Sequence, residues 1–129
     1  MLYSQPPDPQ GYAAEVLKIV RAIPPGRVMT YGGIAALIPP PPDMPPDAYL
    51  KLSPRWVGAV MARCPDDLPW QRVINSQGKV SPRPGLGPTV QRRLLEQERI
   101  VFDDKDRVDL KKYGWQPGEP EPPKQPGLL

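Results

Sequence analysis

The stretch Pro69-Trp70-Gln71-Arg72-Val73-Ile74-Asn75 decides how this chain is interpreted. Its Val73-Ile74 pair predicts a brief β-strand, and the turn-forming residues 75–78 predict a reversal into Lys79-Val80, which together would make a small hairpin wing. Trp70 lies between a proline and two polar residues, so we do not expect its indole to be fully buried. An indole has no lone pair for nucleophilic attack, so Trp70 itself cannot act as a covalent catalyst.

Two helices upstream of this stretch predict a helix-turn-helix. Thr30 is predicted to cap a short helix at Tyr31–Ile38, and Ser53-Pro54 predicts the start of another helix at residues 54–63. The later helix is basic and has a flat surface of small residues, namely Gly58, Ala59 and Ala62. Such a pair is typical of DNA-binding proteins. The proline-rich residues 39–52 make the connection longer than the usual turn.

The remaining elements complete a mainly helical domain with short β-hairpins. Apolar spacing predicts a first helix at Gly11–Ile23 and a fourth at residues 89–98. Short strands at residues 100–102 and 107–109 are predicted to pair around an acidic turn. We therefore expect a flexible arm at residues 1–10, a DNA-binding domain at 11–115 with a proline-rich insert at 39–52, and a disordered proline-rich tail at 116–129.

The composition excludes several kinds of site. The 129-residue chain has no histidine and one cysteine, which argues against a zinc site, a histidine-dependent triad and an internal disulfide. We expect no metal and no cofactor. The absence of a secretory signal and of a long apolar run predicts an intracellular protein, in the nucleus of a eukaryote or otherwise in the cytoplasm and nucleoid. Nothing in the sequence indicates an oligomer, so a monomer is expected.

Charge leaves two interpretations open. The net charge is only +3, but basic residues concentrate in the middle of the chain and acidic residues follow later. This distribution fits either one positive face or an ordinary mixed-charge surface. The central basic residues are Arg55, Arg63, Arg72, Lys79, Arg83, Arg92 and Arg93.

Several segments, taken in order, resemble the O⁶-alkylguanine-DNA alkyltransferases. Those enzymes have the active-site run Pro-Cys-His-Arg-Val, and here Trp70 and Gln71 stand at the cysteine and histidine positions. This replacement is similar to that of the alkyltransferase-like proteins, which are non-enzymatic relatives. The resemblance spans residues 12–118 and implies a winged helix-turn-helix-like DNA-binding domain that is not an enzyme. The matching segments are residues 23–28, Thr30-Tyr31-Gly32, residues 55–61, residues 69–76 with Gly78, Leu94-Leu95 with Glu98, and Tyr113-Gly114-Trp115.

The resemblance assigns DNA-binding roles. Arg55 matches the finger arginine that replaces an extruded nucleotide in the base stack, a task that suits a planar cation. Tyr31 matches the tyrosine that acts at the phosphate of the flipped nucleotide. From position alone, Arg55 also fits an exposed arginine at a helix start, and Tyr31 a half-buried tyrosine. The predicted DNA-binding and flipping set is Arg55, Tyr31, Thr30, Trp56, Gly58 and Ala59.

A lesion pocket is implied in the same way. Trp70 would form a stacking wall for the extruded guanine, and Arg83 would lie over the pocket and make a cation–π contact. The ordinary alternatives are a core tryptophan and a mobile loop charge. The predicted pocket set is Trp70, Arg83, Pro69, Val73, Ser81 and Tyr31, braced by Arg72 and Asn75.

Three residues depart from the enzyme pattern or fall outside it. Glu98 stands where the enzymes keep a relay glutamate, but its partners are gone, so it is interpreted as a structural leftover. Cys64 does not align with the reactive cysteine and is interpreted as a small apolar filler. Trp56 is bulkier than the residue that the family often has there, and either contacts DNA or fills space beside the insert.

The function implied is recognition of DNA damage. The protein is expected to bind double-stranded DNA through the minor groove, to flip O⁶-alkylguanine without dealkylating it, and to flag the lesion for nucleotide excision repair proteins. One alternative is an active alkyltransferase that uses another residue, such as Cys64. Another is an interaction protein whose Pro39–Pro42 run and tail dock into aromatic grooves. No membrane partner is expected.

Overall fold

The computed structural model describes residues 4–80 and 88–118. It is mostly helical with one short parallel strand pair, which confirms the predicted fold class. The helices are α1 (Pro9–Ala22), α2 (Tyr31–Ala35), α3 (Pro46–Met61), α4 (Pro88–Gln97) and α5 (Leu110–Tyr113), with a 3₁₀ turn at Trp70–Arg72. The strands are β1 (Met29–Thr30) and β2 (Val73–Ile74).

Helix α1 begins two residues earlier than predicted because a local cap favours that start. The Asp8 side chain accepts a hydrogen bond from the Gly11 amide at 3.1 Å, and Pro9 occupies the first helical turn, where a missing amide hydrogen is harmless. Tyr12, Val16 and Val20 form the buried face. The helix ends at Ala22, just before the Pro24-Pro25 pair.

The prediction that Thr30 caps α2 is confirmed. The Thr30 hydroxyl accepts a hydrogen bond from the Gly33 amide at 2.9 Å, which satisfies one of the unpaired donors of the first turn. The regular helix ends at Ala35, three residues before the predicted end, and turns continue to Ile38. Ile34 and Ala35 are buried against the neighbouring helices.

Helix α3 has 16 residues and begins at Pro46, eight residues before the predicted first residue, so the predicted start at Ser53-Pro54 is wrong. Ser53 is fully buried, and Pro54 lies inside the helix. A proline inside a helix costs about 3 kcal/mol. Residues 46–52, expected to be irregular insert, are nevertheless helical, and Tyr49 is the one buried residue among them.

Aromatic packing holds that added segment of α3. The Tyr49 hydroxyl donates to the Ala35 carbonyl at 2.9 Å and lies 2.9 Å from the Tyr12 hydroxyl. Trp56 packs edge-on against both tyrosine rings, with centroid separations of 5.4 and 5.8 Å. Edge-to-face pairs of this kind add stability beyond the apolar area that they bury. The added segment is thus tied to both α1 and α2.

The predicted hairpin wing is wrong. Strand β2 pairs in parallel with β1, with Met29 opposite Val73 and Thr30 opposite Ile74, and Lys79-Val80 is not a strand. The turn itself is present. The Asn75 side chain accepts a hydrogen bond from the Lys79 amide, and the Asn75 amide donates to the Lys79 carbonyl. The predicted pairing of residues 100–102 with 107–109 is confirmed as a single antiparallel bridge between Phe102 and Val108.

Two apolar clusters form the core. The larger lies among α1, α2, α3 and the Trp70 turn, and the smaller joins Val28 and β2 to α4 and the C-terminal segment. None of the helices within residues 4–80 and 88–118 combines the length and apolar character needed to cross a bilayer.

Candidate nucleic-acid interface

The outward surface of α3 is open along its small residues. Ala59 and Ala62 are exposed, and Gly58 is half-buried. A Cβ atom added at Gly58 would meet no atom within 4 Å. Since glycine inside a helix costs about 1 kcal/mol relative to alanine, and no described atom occupies the space, this glycine leaves room for a molecule outside the chain.

Arg55 lies on the same surface and is exposed. It makes no ion pair or side-chain hydrogen bond with another residue of the described ranges. A groove of 410 Å³ runs beside it, bordered by Ala59 on α3, by Arg63 just after the helix, and by residues of the N-terminal segment from Ser4 to Pro9. An uncommitted guanidinium beside an open groove is available to stack or to bind a phosphate.

Tyr31 is brought next to this helix by the packing of α2 on α3. Tyr31 is half-buried against the larger cluster. A Cβ added to its neighbour Gly32 would lie 3.9 Å from the Pro54 ring, which directly precedes Arg55. The start of α2 and the middle of α3 therefore meet, and the structure brings these two predicted site residues into one region.

Trp56 is a correction to the predicted DNA-binding set. Only 4% of its surface is exposed, and its ring packs between Tyr12 and Tyr49. A DNA contact by this side chain is excluded by its burial. The alternative interpretation, that Trp56 fills space beside the insert, agrees with the structure.

Trp70 opens the 3₁₀ turn and is more buried than the sequence indicated. Its exposed fraction is 8%, and it belongs to the larger cluster together with Met29 and Val73. The expectation that its polar neighbours would keep it open is wrong, because Gln71 and Arg72 turn toward Glu98 and leave the indole facing the core. Trp70 still directly follows Pro69, which is half-buried at the surface of the turn.

Glu98 organises the polar side of this turn. It accepts hydrogen bonds from the Gly26 amide at 2.9 Å, from Gln71 Nε2 at 2.9 Å and from Arg72 Nε at 2.9 Å. Burial raises the pKa of Glu98, but these donors, Arg72 foremost, outweigh burial and hold the pKa below its ordinary value. The interpretation of Glu98 as a structural leftover therefore misses its bracing function.

Arg72 and Asn75 both make internal contacts. The Arg72 guanidinium donates both to Glu98 and to the Ile23 carbonyl, the latter at 2.8 Å. The Asn75 side chain accepts from the amides of Gln77 and Lys79 at 2.9 and 3.0 Å. Both therefore fix backbone on either side of Val73-Ile74.

Gln91 is a residue that sequence reasoning missed. It is 3% exposed, and its Nε2 donates to the Gln71 carbonyl at 3.1 Å and to the Val73 carbonyl at 2.9 Å. It thereby fastens α4 to the segment that carries Trp70. The signal in the sequence is a polar residue at a position on the apolar face of α4, where a buried polar group needs hydrogen-bond partners.

Two predicted pocket residues, Arg83 and Ser81, lie outside the described residues. Val73 is buried at 2% exposure. Cys64 is also buried at 2%, with its thiol 3.6 Å from the Pro65 carbonyl, which agrees with its interpretation as a filler.

Comparison with known proteins places this geometry in a family. The family model of the 6-O-methylguanine DNA methyltransferase DNA-binding domain matches residues 11–100. A DNA base-flipping protein of Vibrio parahaemolyticus is 36% identical over 108 residues, covering 82% of this chain and 97% of that protein. Alkyltransferase-like protein 1 of Schizosaccharomyces pombe is 33% identical over 113 residues, covering 82% and 95%.

A solved structure gives the same result. The crystal structure of S. pombe Atl1 in complex with damaged DNA containing O⁶-carboxymethylguanine matches with a TM-score of 0.65 and 30% identity, over 84% of this chain and 97% of that one. The helical scaffold, with α2 packed on α3, thus defines a DNA-binding domain of the methyltransferase type. With Trp70 and Gln71 at the cysteine and histidine positions, the chain belongs to the 6-O-methylguanine DNA methyltransferase family, in its alkyltransferase-like branch.

Proposed function

We propose that this protein recognises O⁶-alkylguanine in double-stranded DNA, flips the damaged nucleotide and holds it without removing the alkyl group. The observation that carries the proposal is the open, small-residue surface of α3 with the uncommitted Arg55 on it. Gly58 and Ala59 allow α3 to approach the minor groove closely, and Arg55 fills the gap left by the extruded nucleotide. Tyr31, at the start of α2 where that helix meets the Pro54 region of α3, binds the phosphate of that nucleotide.

Trp70 supplies the wall against which the extruded guanine stacks. Extrusion costs a few kcal/mol, and less for a weakly paired damaged base, whereas stacking on an aromatic ring contributes about 1–3 kcal/mol. The two quantities are similar, so the wall decides whether the flipped state is populated. Trp70 is largely covered without DNA, so this proposal requires the base to displace the side chains that cover the indole before it can stack. Arg83 and Ser81 complete the pocket in this proposal, with Pro69 and Val73.

Paired binding measurements test the proposal. Affinity is measured at one fixed salt concentration for duplexes that differ only in one O⁶-alkylguanine. The lesion duplex is expected to bind more tightly. Arg55→Ala should weaken both complexes, Trp70→Ala should mainly reduce the lesion preference, and Arg21→Ala, which removes an exposed arginine of α1, serves as the matched control. Equal affinity for the two duplexes would overturn the proposal.

The absence of dealkylation is tested separately. Cys64 is buried and the chain has no histidine to activate it. Mass spectrometry after incubation with the lesion duplex should therefore show the unmodified protein and intact O⁶-alkylguanine. An alkyl adduct on Cys64 would establish an active alkyltransferase instead.

A stable complex on a lesion that it cannot repair serves as a flag for nucleotide excision repair. In an excision assay on the lesion duplex, added protein should raise the yield of incised strands, and Arg55→Ala should not. An incision yield that is unaffected by the wild-type protein would remove this part of the proposal and leave lesion binding intact.

A further inference from the structure

The longer α3 places an additional cation on the proposed DNA-binding surface. Lys51 lies four residues before Arg55, in the helical segment that the sequence had assigned to irregular insert. Four residues correspond to about 6 Å along the axis and roughly 40° around it. Lys51 and Arg55 therefore project from one face of α3, one turn apart, and both are exposed.

The charge of Lys51 is uncommitted. It makes no ion pair or side-chain hydrogen bond with another residue in 4–80 or 88–118. Three arginines of the described residues differ in this respect, because Arg72 pairs with Glu98, Arg92 with Glu96 and Asp106, and Arg107 with Asp103. The buried Tyr49 anchors the helical segment that carries Lys51. The unpaired ammonium of Lys51 is therefore available to an external anion.

We propose that Lys51 binds a backbone phosphate of the DNA, about two base steps from the nucleotide that Arg55 displaces. Each strand carries one phosphate per 3.4 Å of the duplex axis, so a cation about 6 Å from Arg55 meets a neighbouring phosphate. This inference rests on the proposed function. Because α3 side chains lean toward its N-terminus, Lys51 extends the contact surface in that direction. The exposed Asp47, one further turn away, ends the positive surface.

The phosphate assignment makes the effect of Lys51 independent of the lesion. A phosphate contact carries no information about the base. Lys51→Ala should therefore weaken binding to plain and lesion duplexes by the same factor, about three- to tenfold near 0.1 M salt. It should also reduce the slope of log affinity against log salt by about 0.9, the value for one phosphate contact.

The experiment is a salt titration by fluorescence anisotropy with both duplexes. Lys51→Arg, which keeps the charge, should preserve the slope. Lys105→Ala is the matched control, because Lys105 is an exposed lysine in the acidic turn near Asp103 and Asp106 and should change neither affinity nor slope. Thermal unfolding of each variant verifies that the helix is intact, as expected for an exposed position.

The outcomes separate this inference from the function on which it rests. If Arg55→Ala weakens binding and Lys51→Ala leaves affinity and slope unchanged, the Lys51 contact is overturned and the proposed function stands. If lesion and plain duplexes bind equally to the wild type, the proposed function fails. A loss of lesion preference in Lys51→Ala, without a change of slope, would also overturn the phosphate assignment.

Discussion

Replacement of Glu98 by glutamine tests the bracing of the Trp70 turn. The Glu98 carboxylate accepts bonds from three groups, the Gly26 amide, Gln71 and Arg72, and the Arg72 and Glu98 side chains are only 14% and 13% exposed. A glutamine keeps one acceptor oxygen but presents an NH₂ group toward donors. The uncompensated Arg72 charge and the lost bonds together should lower the free energy of unfolding by about 2–4 kcal/mol.

Urea denaturation followed by tryptophan fluorescence measures this change. Glu96→Gln is the matched control, because Glu96 lies two residues earlier on α4, is 52% exposed and pairs only with Arg92 in the described part of the chain. Surface pairs of this kind contribute little. An equal effect of the two substitutions would refute the reasoning that Glu98 joins these segments.

The pH dependence follows from the sign of the shift. The pKa of Glu98 is lower in the folded protein than its ordinary value of 4.5, so its stabilisation is complete above that value and is lost as pH falls through the folded pKa. The stability difference between the wild type and Glu98→Gln should therefore be constant near neutral pH and shrink below about pH 4.5. A difference that grows on acidification would contradict the assignment.

Three further substitutions have distinct expected outcomes. Gly58→Ala should raise the free energy of unfolding by up to about 1 kcal/mol, because the new Cβ meets open space. The same substitution should weaken DNA binding. Improved stability with unchanged affinity would exclude close approach of DNA at Gly58. Ser53→Ala should be neutral or slightly stabilising in urea denaturation, because the buried hydroxyl lies near Tyr49 without hydrogen-bond geometry, whereas a capping serine would lose about 1 kcal/mol. Gln91→Met should lower the free energy of unfolding by about 2 kcal/mol or more, because it leaves the Gln71 and Val73 carbonyls without this donor. If the same substitution at the exposed Gln97 lowers the free energy of unfolding as much, the role of Gln91 is contradicted.

The elements that depend on residues close together in the sequence were predicted correctly. The Thr30 cap depends on the bond to Gly33, three residues away, and the α1 face depends on spacing within one helix. The start of α3 at Pro46 was not predicted, because the segment before Ser53-Pro54 is held by packing of Tyr49 and Trp56 on distant residues and not by a local cap.

The arrangement of the site depended on contacts that a local pattern does not contain. Val73-Ile74 was correctly predicted as extended, but its partner is Met29-Thr30, more than forty residues earlier, and not the adjacent Lys79-Val80. The family pattern predicts site roles for Arg55, Tyr31 and Trp70. It did not give the burial of Trp70, which results from the turn of Gln71 and Arg72 toward Glu98.

The two-residue ladder of β1 and β2 has a consequence for affinity. Tyr31 follows β1 directly, and Trp70 precedes β2 by three residues, so the ladder sets the spacing between the phosphate-binding and stacking residues of the proposed site. That spacing is established when the chain folds. The entropy of arranging these two segments is therefore already lost before any DNA arrives, and a larger share of the contact energy remains to pull a nucleotide out of its duplex.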